Sequence, residues 1–211
     1  MKAYVQHKAV KHLKKVDPLL HAAALPHYET VLAKGMHRRN YSKLFAHLAG
    51  SIVSQQLSTK AADTIWGRLK GKCKGEVTAE TILKLRITSM RSAGLSAAKI
   101  KALKELAKAV QSGEVDFKKL AKLPEEEAIT TLSSVWGIGR WTAEMFLMFA
   151  LLREDIFSLG DLGLTRSMET LYGIPKDSPK AVYLEISEKW SPYRSTASRV
   201  LWRLRDTKSY R

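Results

Sequence analysis

The sequence predicts an all-α protein. Apolar residues recur at helical spacing along most of the 211 residues, alternating strand patterns are almost absent, and glycine or proline stands where one helix must stop. About ten short helices in one domain, residues 1–211, account for the length.

The elements follow in order. Ser51 to Leu69 (SIVSQQLSTKAADTIWGRL) places Ile52, Val53, Leu57, Ala61, Ile65 and Leu69 mostly four apart, and Gly71 follows as a stop. Thr78 to Leu85 and the lysine-rich Ala97 to Val110 predict amphipathic helices, with MRSAGLS (Met90 to Ser96) as a turn around Gly94. Lysines 99, 101, 104 and 108 read as an ordinary solvated helix face. Pro124 before EEEAITTLSSV starts a helix whose first-turn acids suit the helix dipole. Arg140 to Leu152 is a strongly apolar helix. Another starts at Asp161 or a neighbour and runs through Tyr172, ended by Gly173 and Pro175. The last two are expected near Pro179 to Trp190 and Arg194 to Arg205.

Composition narrows the function. The formal net charge is +16, which favours a polyanionic partner such as nucleic acid over a merely basic enzyme. Cys73 is the only cysteine, which rules out an internal disulfide, a cysteine-based zinc site and a four-cysteine iron–sulfur cluster. No stretch has the length and apolarity of a membrane span, and MKAYVQHKAVKHLKK lacks the apolar core of a signal peptide. A soluble intracellular protein, without membrane partners, is expected.

The stretch VWGIGRWTAEMF, Val135 to Phe146, joins two helices through Trp136 to Gly139. Such a Gly-x-Gly is either a plain tight connection or a place where backbone N–H groups meet a phosphate. Gly137 and Gly139 can adopt φ > 0 and lack a Cβ, and the N–H groups of Gly137, Gly139 and Arg140 sit at a helix N-terminus. The basic charge favours the phosphate clamp, with the Arg140 side chain adding to it.

Taken with the G-D-L-G-L block at 160–164, VWGIGRWTA resembles the helix-hairpin-helix (HhH-GPD) superfamily of DNA glycosylases, and within it the alkylpurine, or 3-methyladenine type II, branch. Ser51 to Ser58 (SIVSQQLS) looks like the branch's upstream helix, and Trp190 to Ser195 (WSPYRS), with Trp202 twelve residues after Trp190, looks like its C-terminal block. The resemblance covers roughly residues 40 to 205. It implies two interleaved helical lobes around a cleft, no β domain, and a helix-hairpin-helix at about 125–152.

The resemblance also assigns roles. Asp161 takes the place of the catalytic carboxylate, and the alternative reading makes it only a helix N-cap. Trp141 and Trp202 fall at the base pocket, where stacking and cation–π attraction would select a cationic alkylated purine. Position 141 carries a Schiff-base lysine in bifunctional members, so Trp141 implies a monofunctional enzyme without lyase activity. Gln56 aligns with the wedge that fills the gap left by a flipped base. Leu57 is a second wedge candidate, though its place in the apolar stripe favours burial, and Ser58 would face the minor groove. Gly137, Gly139, Arg140 and Thr142 would bind phosphate. No organic cofactor is implied, but a Na+ or K+ could be held by the carbonyls of Ser133, Val135 and Ile138.

The implied function is release of 3-methyladenine or 7-methylguanine in base-excision repair. The implied partner is double-stranded DNA carrying alkylated bases or abasic sites, bound by a monomer that is nuclear in a eukaryote and cytoplasmic in a bacterium. Two positions depart from the branch: Ser158 stands where a proline commonly precedes G-D-L-G, and Ser58 where some members carry a histidine. They support a second reading, a protein that binds abasic or damaged DNA and excises poorly or not at all.

Overall fold

The computed structural model describes residues 3–33 and 40–207, and among these the chain is helical with no strand. In order the helices are α1 (Lys8–Val16), α2 (Pro18–Ala24), α3 (Tyr28–Ala33), α4 (Leu44–Ser54), α5 (Thr59–Lys72), α6 (Ala79–Lys84) and α7 (Ile87–Ser92). Then follow α8 (Ala97–Ser112), α9 (Phe117–Leu120), α10 (Glu125–Ser133), α11 (Arg140–Phe149), α12 (Leu162–Tyr172), α13 (Lys180–Glu188) and α14 (Arg194–Asp206). The chain divides into two compact units. Residues 39–146 form one, and residues 1–38 together with 147–211 form the other. No helix among the described residues is long and apolar enough to cross a membrane.

The contiguous unit is built around α8, which packs on α4, α6 and α7. One face of α8 buries Ile100, Leu103, Leu106 and Ala107, as its helical spacing predicts. Its other face is only partly the solvated one the lysines suggest: Lys101 and Lys108 are exposed, but Lys99 and Lys104 are half-buried. The Lys104 ammonium donates to the carbonyls of Leu83 and Leu85, each at 2.8 Å, and closes the end of α6. Lys99 donates to the Val53 carbonyl at 2.7 Å in the last turn of α4. Both lysines sit at helix C-termini, where unpaired carbonyls and the dipole favour a cation. Burial pushes the pKa of each down. Lys108 pairs with Glu105 at 2.9 Å, and Lys101 lies 4.3 Å from the centre of a Trp136 ring.

A second expectation is corrected in this unit. The helix predicted from Ser51 to Leu69 is two helices, α4 and α5, separated by residues 55–58. Gln56 adopts φ +57°, a left-handed conformation that no right-handed helix can pass through. Ser58 then caps α5, its hydroxyl accepting from the Ala61 N–H at 3.4 Å. Periodicity continues across the break because Ile52 and Val53 on one side and Leu69 on the other are all buried.

The discontinuous unit has its own core, in which Tyr28, Leu164, Met168, Trp190 and Leu201 are fully buried. A buried carboxylate helps to organise it. Asp17 caps α2 by accepting from the Leu20 N–H at 2.9 Å, and its other oxygen accepts from Tyr172 (2.6 Å) and from the Trp190 indole (2.8 Å). Those hydrogen bonds keep its burial from being costly. The WSPYRS block grips the segment that leads toward Asp161. Arg194 donates through Nε to Asp155 at 2.7 Å and through Nη2 to the Asp155 carbonyl at 3.0 Å, and Ser191 donates to Asp155 at 2.8 Å. The Ser195 hydroxyl donates to the Arg153 carbonyl at 2.7 Å and accepts from the Ile156 N–H at 3.0 Å.

Burial pushes the Asp155 carboxyl up, but hydrogen bonds from Arg194 and Ser191 and the Arg194 charge outweigh it and hold it below the ordinary aspartate range. Its stabilisation is therefore present above the unfolded value and lost as pH falls through the lowered folded one. Arg194→Ala is expected to cost roughly 1–3 kcal/mol near neutral pH. In thermal melts at a series of pH values, the gap between wild type and variant should narrow on the acid side. A gap independent of pH would contradict this account of the pair.

Candidate functional site

The hairpin is drawn tight by its own backbone. The Val135 N–H donates to the Leu132 carbonyl at 3.2 Å, the Ile138 N–H to the Val135 carbonyl at 3.0 Å, and the Ala143 N–H to the Gly139 carbonyl at 3.0 Å. Val135 and Ile138 are buried and anchor the turn, while Gly137 and Gly139 face solvent. Gly137 has φ +89°, and a Cβ built on it would lie 2.6 Å from the Ala102 Cβ of α8. No other residue fits there, because the conformation and the space both exclude a side chain. The first N–H groups of α11 have no intrahelical carbonyl to bind, which leaves a positive helix end beside the turn.

Two of the expected phosphate ligands also make contacts within the protein. Arg140 donates through Nε to Glu144 at 2.8 Å and through Nη1 to Glu126 at 2.8 Å, and its Nη2 also reaches Glu126. Hydrogen bonding to Glu126, with the charges of both acids, raises its pKa further, and Arg140 in turn holds the Glu126 carboxyl below its usual range. The guanidinium thus also links α10 to α11, while the Arg140 side chain stays more than half exposed. Thr142 is buried, and its hydroxyl accepts from Gln55 Nε2 at 3.3 Å.

The wedge candidates share one exposed turn. Gln56, Leu57 and Ser58 all reach solvent, and Leu57 is 37% exposed rather than in the core its apolar spacing suggested. In the same unit, Trp141 opens α11 and is 50% exposed.

Asp161 lies in the other unit, at the N-cap of α12. Its Oδ1 accepts from the Leu164 N–H at 2.9 Å and from the Trp202 indole N–H at 3.0 Å. Asp161 is thus the helix N-cap, and the hydrogen bonds that close the helix also fix the direction of its carboxylate. Trp202, expected as a wall of the base pocket, is first of all a partner of Asp161. Its ring also tilts against Phe149, with centroids 5.7 Å apart and planes at 32°. Phe149 is 46% exposed, and the Arg199 guanidinium sits 5.3 Å from its centre. A small cavity of about 130 Å³ opens beside this pair, lined by Val31, Phe149, Arg199 and Trp202 among others. The turn before Asp161 does not depend on a proline for its shape. Ser158 is fully buried and its carbonyl accepts from the Asp161 N–H at 3.0 Å.

Two residues of this site escaped the sequence reading. Phe149 looked like one more apolar residue of α11. Gly163 stood inside the quoted G-D-L-G-L block without a role. A Cβ on Gly163 would collide with Arg205 Nη1, and would lie 2.9 Å from Asp161 Oδ1 and 3.4 Å from Trp202 Cδ1. Glycine is what lets the carboxylate, the indole and the guanidinium crowd over the first turn of α12. Gly163→Ala is expected to move Asp161 off its two donors and, if Asp161 is catalytic, to lower single-turnover base release about tenfold or more, since displacements of this order cost 10–100-fold. Normal release by a folded G163A protein would show that the crowding is immaterial.

Comparison with known proteins identifies the family. Residues 49–192 match the HhH-GPD superfamily of base excision DNA repair proteins. DNA-3-methyladenine glycosylase 1 of Schizosaccharomyces pombe is 38% identical over 162 residues, covering 75% of this chain and 71% of that protein. The crystal structure of a Bacillus halodurans DNA-3-methyladenine glycosidase superposes with a TM-score of 0.85 at 31% identity, covering 98% of this chain and 94% of that one. A Schizosaccharomyces pombe 3-methyladenine DNA glycosylase in complex with abasic DNA superposes with a TM-score of 0.75 at 33% identity, covering 93% and 95%. With its family match spanning more than half its length, the chain belongs to the HhH-GPD superfamily of base excision DNA repair proteins.

Proposed function

We propose that this protein is a monofunctional DNA glycosylase that releases alkylated purines, 3-methyladenine and 7-methylguanine, in base-excision repair. Family membership and relatives named as 3-methyladenine DNA glycosylases support the glycosylase assignment. The observation that carries the mechanism is Asp161 held at a helix start by Leu164 and Trp202.

Extruding a nucleotide from the duplex costs a few kcal/mol, recovered by contacts to the flipped base and the distorted backbone. A purine alkylated at N3 or N7 is cationic, so it departs as a neutral base and needs little general-acid help. The positive charge then passes to the sugar. Asp161 stabilises that charge and orients the water that attacks C1′, much as carboxylates stabilise the oxocarbenium-like transition state of glycoside hydrolysis. The anchored Ser158 turn favours this reading over a binder that does not cut. Trp141 has no amine with which to form a Schiff base, so release stops at the abasic site.

Hairpin backbone N–H groups would take a phosphate next to the lesion, as helix starts commonly do. The Ser133, Val135 and Ile138 carbonyls suit a Na+ or K+, since neutral oxygens match a hard ion of low charge. The buried Ser133 hydroxyl, which has no hydrogen-bond partner among the described residues, would add a further oxygen. Such an ion would add positive charge where the phosphate docks.

Asp161→Asn keeps the cap, because an amide oxygen also accepts from Leu164 and Trp202. It should lower the single-turnover rate on methylated duplex by about 100-fold or more, typical of losing an electrostatic stabiliser, while affinity for an abasic-analogue duplex persists. Base release by D161N at the wild-type rate would refute the catalytic assignment. Borohydride is expected to trap no protein–DNA adduct. Affinity for any duplex should fall steeply with salt, each phosphate contact contributing a slope of about −0.9 in log K against log salt.

A further inference from the structure

One side chain joins the wedge turn to the hairpin. Gln55 is the C-cap of α4, the first residue past the helix, with φ −49° and ψ 130°, and its Nε2 donates to the Gly137 carbonyl at 3.1 Å and to Thr142 Oγ1 at 3.3 Å. It is half-buried, while its neighbours Gln56, Leu57 and Ser58 are exposed. We propose that Gln55 is a positioning residue that ties the wedge turn to the hairpin, so that base extrusion and phosphate docking act as one rigid step; the inference rests on the DNA-repair reading above.

The turn needs such a tie. Gln56 is a non-glycine residue at φ +57°, a conformation costing roughly 1–2 kcal/mol, and Leu57 exposes apolar surface. Few local restraints offset this. The Leu57 N–H reaches the Ser54 carbonyl at 3.2 Å, and Lys99 holds the Val53 carbonyl. Gln55 adds the restraint that reaches beyond the turn.

At its other end Gln55 meets a fixed partner. Gly137 is pressed against Ala102 of α8, with no room for a Cβ, so its carbonyl cannot drift. Thr142 is buried in the first turn of α11. Helix α8 thus supplies Lys99 to the wedge side and Ala102 to the hairpin side, and Gln55 closes the link between them. A wedge must enter the stack in register with the phosphate contacts, and any freedom it keeps must be frozen on binding. Only a primary amide of this length offers two N–H donors to a carbonyl and a hydroxyl without a charge beside DNA.

The test uses Gln55→Met, which keeps length and removes both donors, with Gln55→Glu as a second donorless variant. Three quantities are measured on the full chain: thermal stability, affinity for an undamaged duplex against one carrying a tetrahydrofuran abasic analogue, and single-turnover release of 7-methylguanine. Q55M should melt within a few degrees of wild type and bind undamaged DNA within about twofold, yet lose about tenfold or more in abasic affinity and release rate, as expected of a misplaced contact. Thr142→Val should lose less, because the Gly137 carbonyl remains, and Q55M combined with T142V should be no worse than Q55M alone. An unchanged ratio of abasic to undamaged affinity in folded Q55M would overturn the proposal, as would unfolding of both Gln55 variants, which would make the residue merely structural. If wild type releases no base, the glycosylase reading fails while the affinity ratio still tests Gln55.

Discussion

One carboxylate oxygen carries two duties in this protein. Asp161 Oδ1 closes the first turn of α12 through Leu164 and takes the Trp202 indole N–H, so the hydrogen bonds that start the helix also fix the acid. Both donors ride on rigid helices, whose cores are among the most deeply buried residues of their unit. The segment behind the acid is gripped by Ser191, Arg194 and Ser195, and the turn before it is closed onto the Ser158 carbonyl. These contacts fix where the carboxylate points, which is what the charge-stabilising role proposed for it requires.

The other unit solves a similar problem with the same device, a missing Cβ. Gly163 lets Asp161, Trp202 and Arg205 meet over one helical turn, and Gly137 lets the hairpin lie on Ala102. In each case a glycine at the point of closest approach brings a backbone close to a neighbouring helix. The exposed parts then stand on well-packed supports. Gln56 and the hairpin glycines face solvent, but α8 lies behind both.

The large positive charge is not all directed at a polyanion. Arg140 is spent between Glu126 and Glu144, Arg194 on Asp155, and Lys99 and Lys104 on the carbonyl ends of α4 and α6. These cations are engaged within the scaffold. Net charge thus pointed to the class of partner without pointing to the contacts.

Much of the fold was legible because the helices are amphipathic and well punctuated. Gly173 ends α12 in the left-handed conformation expected of it, and Pro124 and Ser96 stand at helix starts as their chemistry requires. The ordered motifs likewise pointed to the acid at the start of α12, the hairpin and the exposed turn at 56–58. What eluded local reading were partnerships between residues far apart in the chain. Gln55 reaches Gly137 across 82 positions, and Trp202 reaches Asp161 across 41. Periodicity ran straight through Gln56 because a left-handed residue changes a helix's direction without changing which residues are apolar. The sequence by itself determined the helical class, the glycines and the acid, since these follow from local propensity and motif. Only the tertiary structure decided which lysines are caps, which arginine is a strut and what holds the acid in place, because hydrogen bonds between distant side chains leave no pattern along the chain.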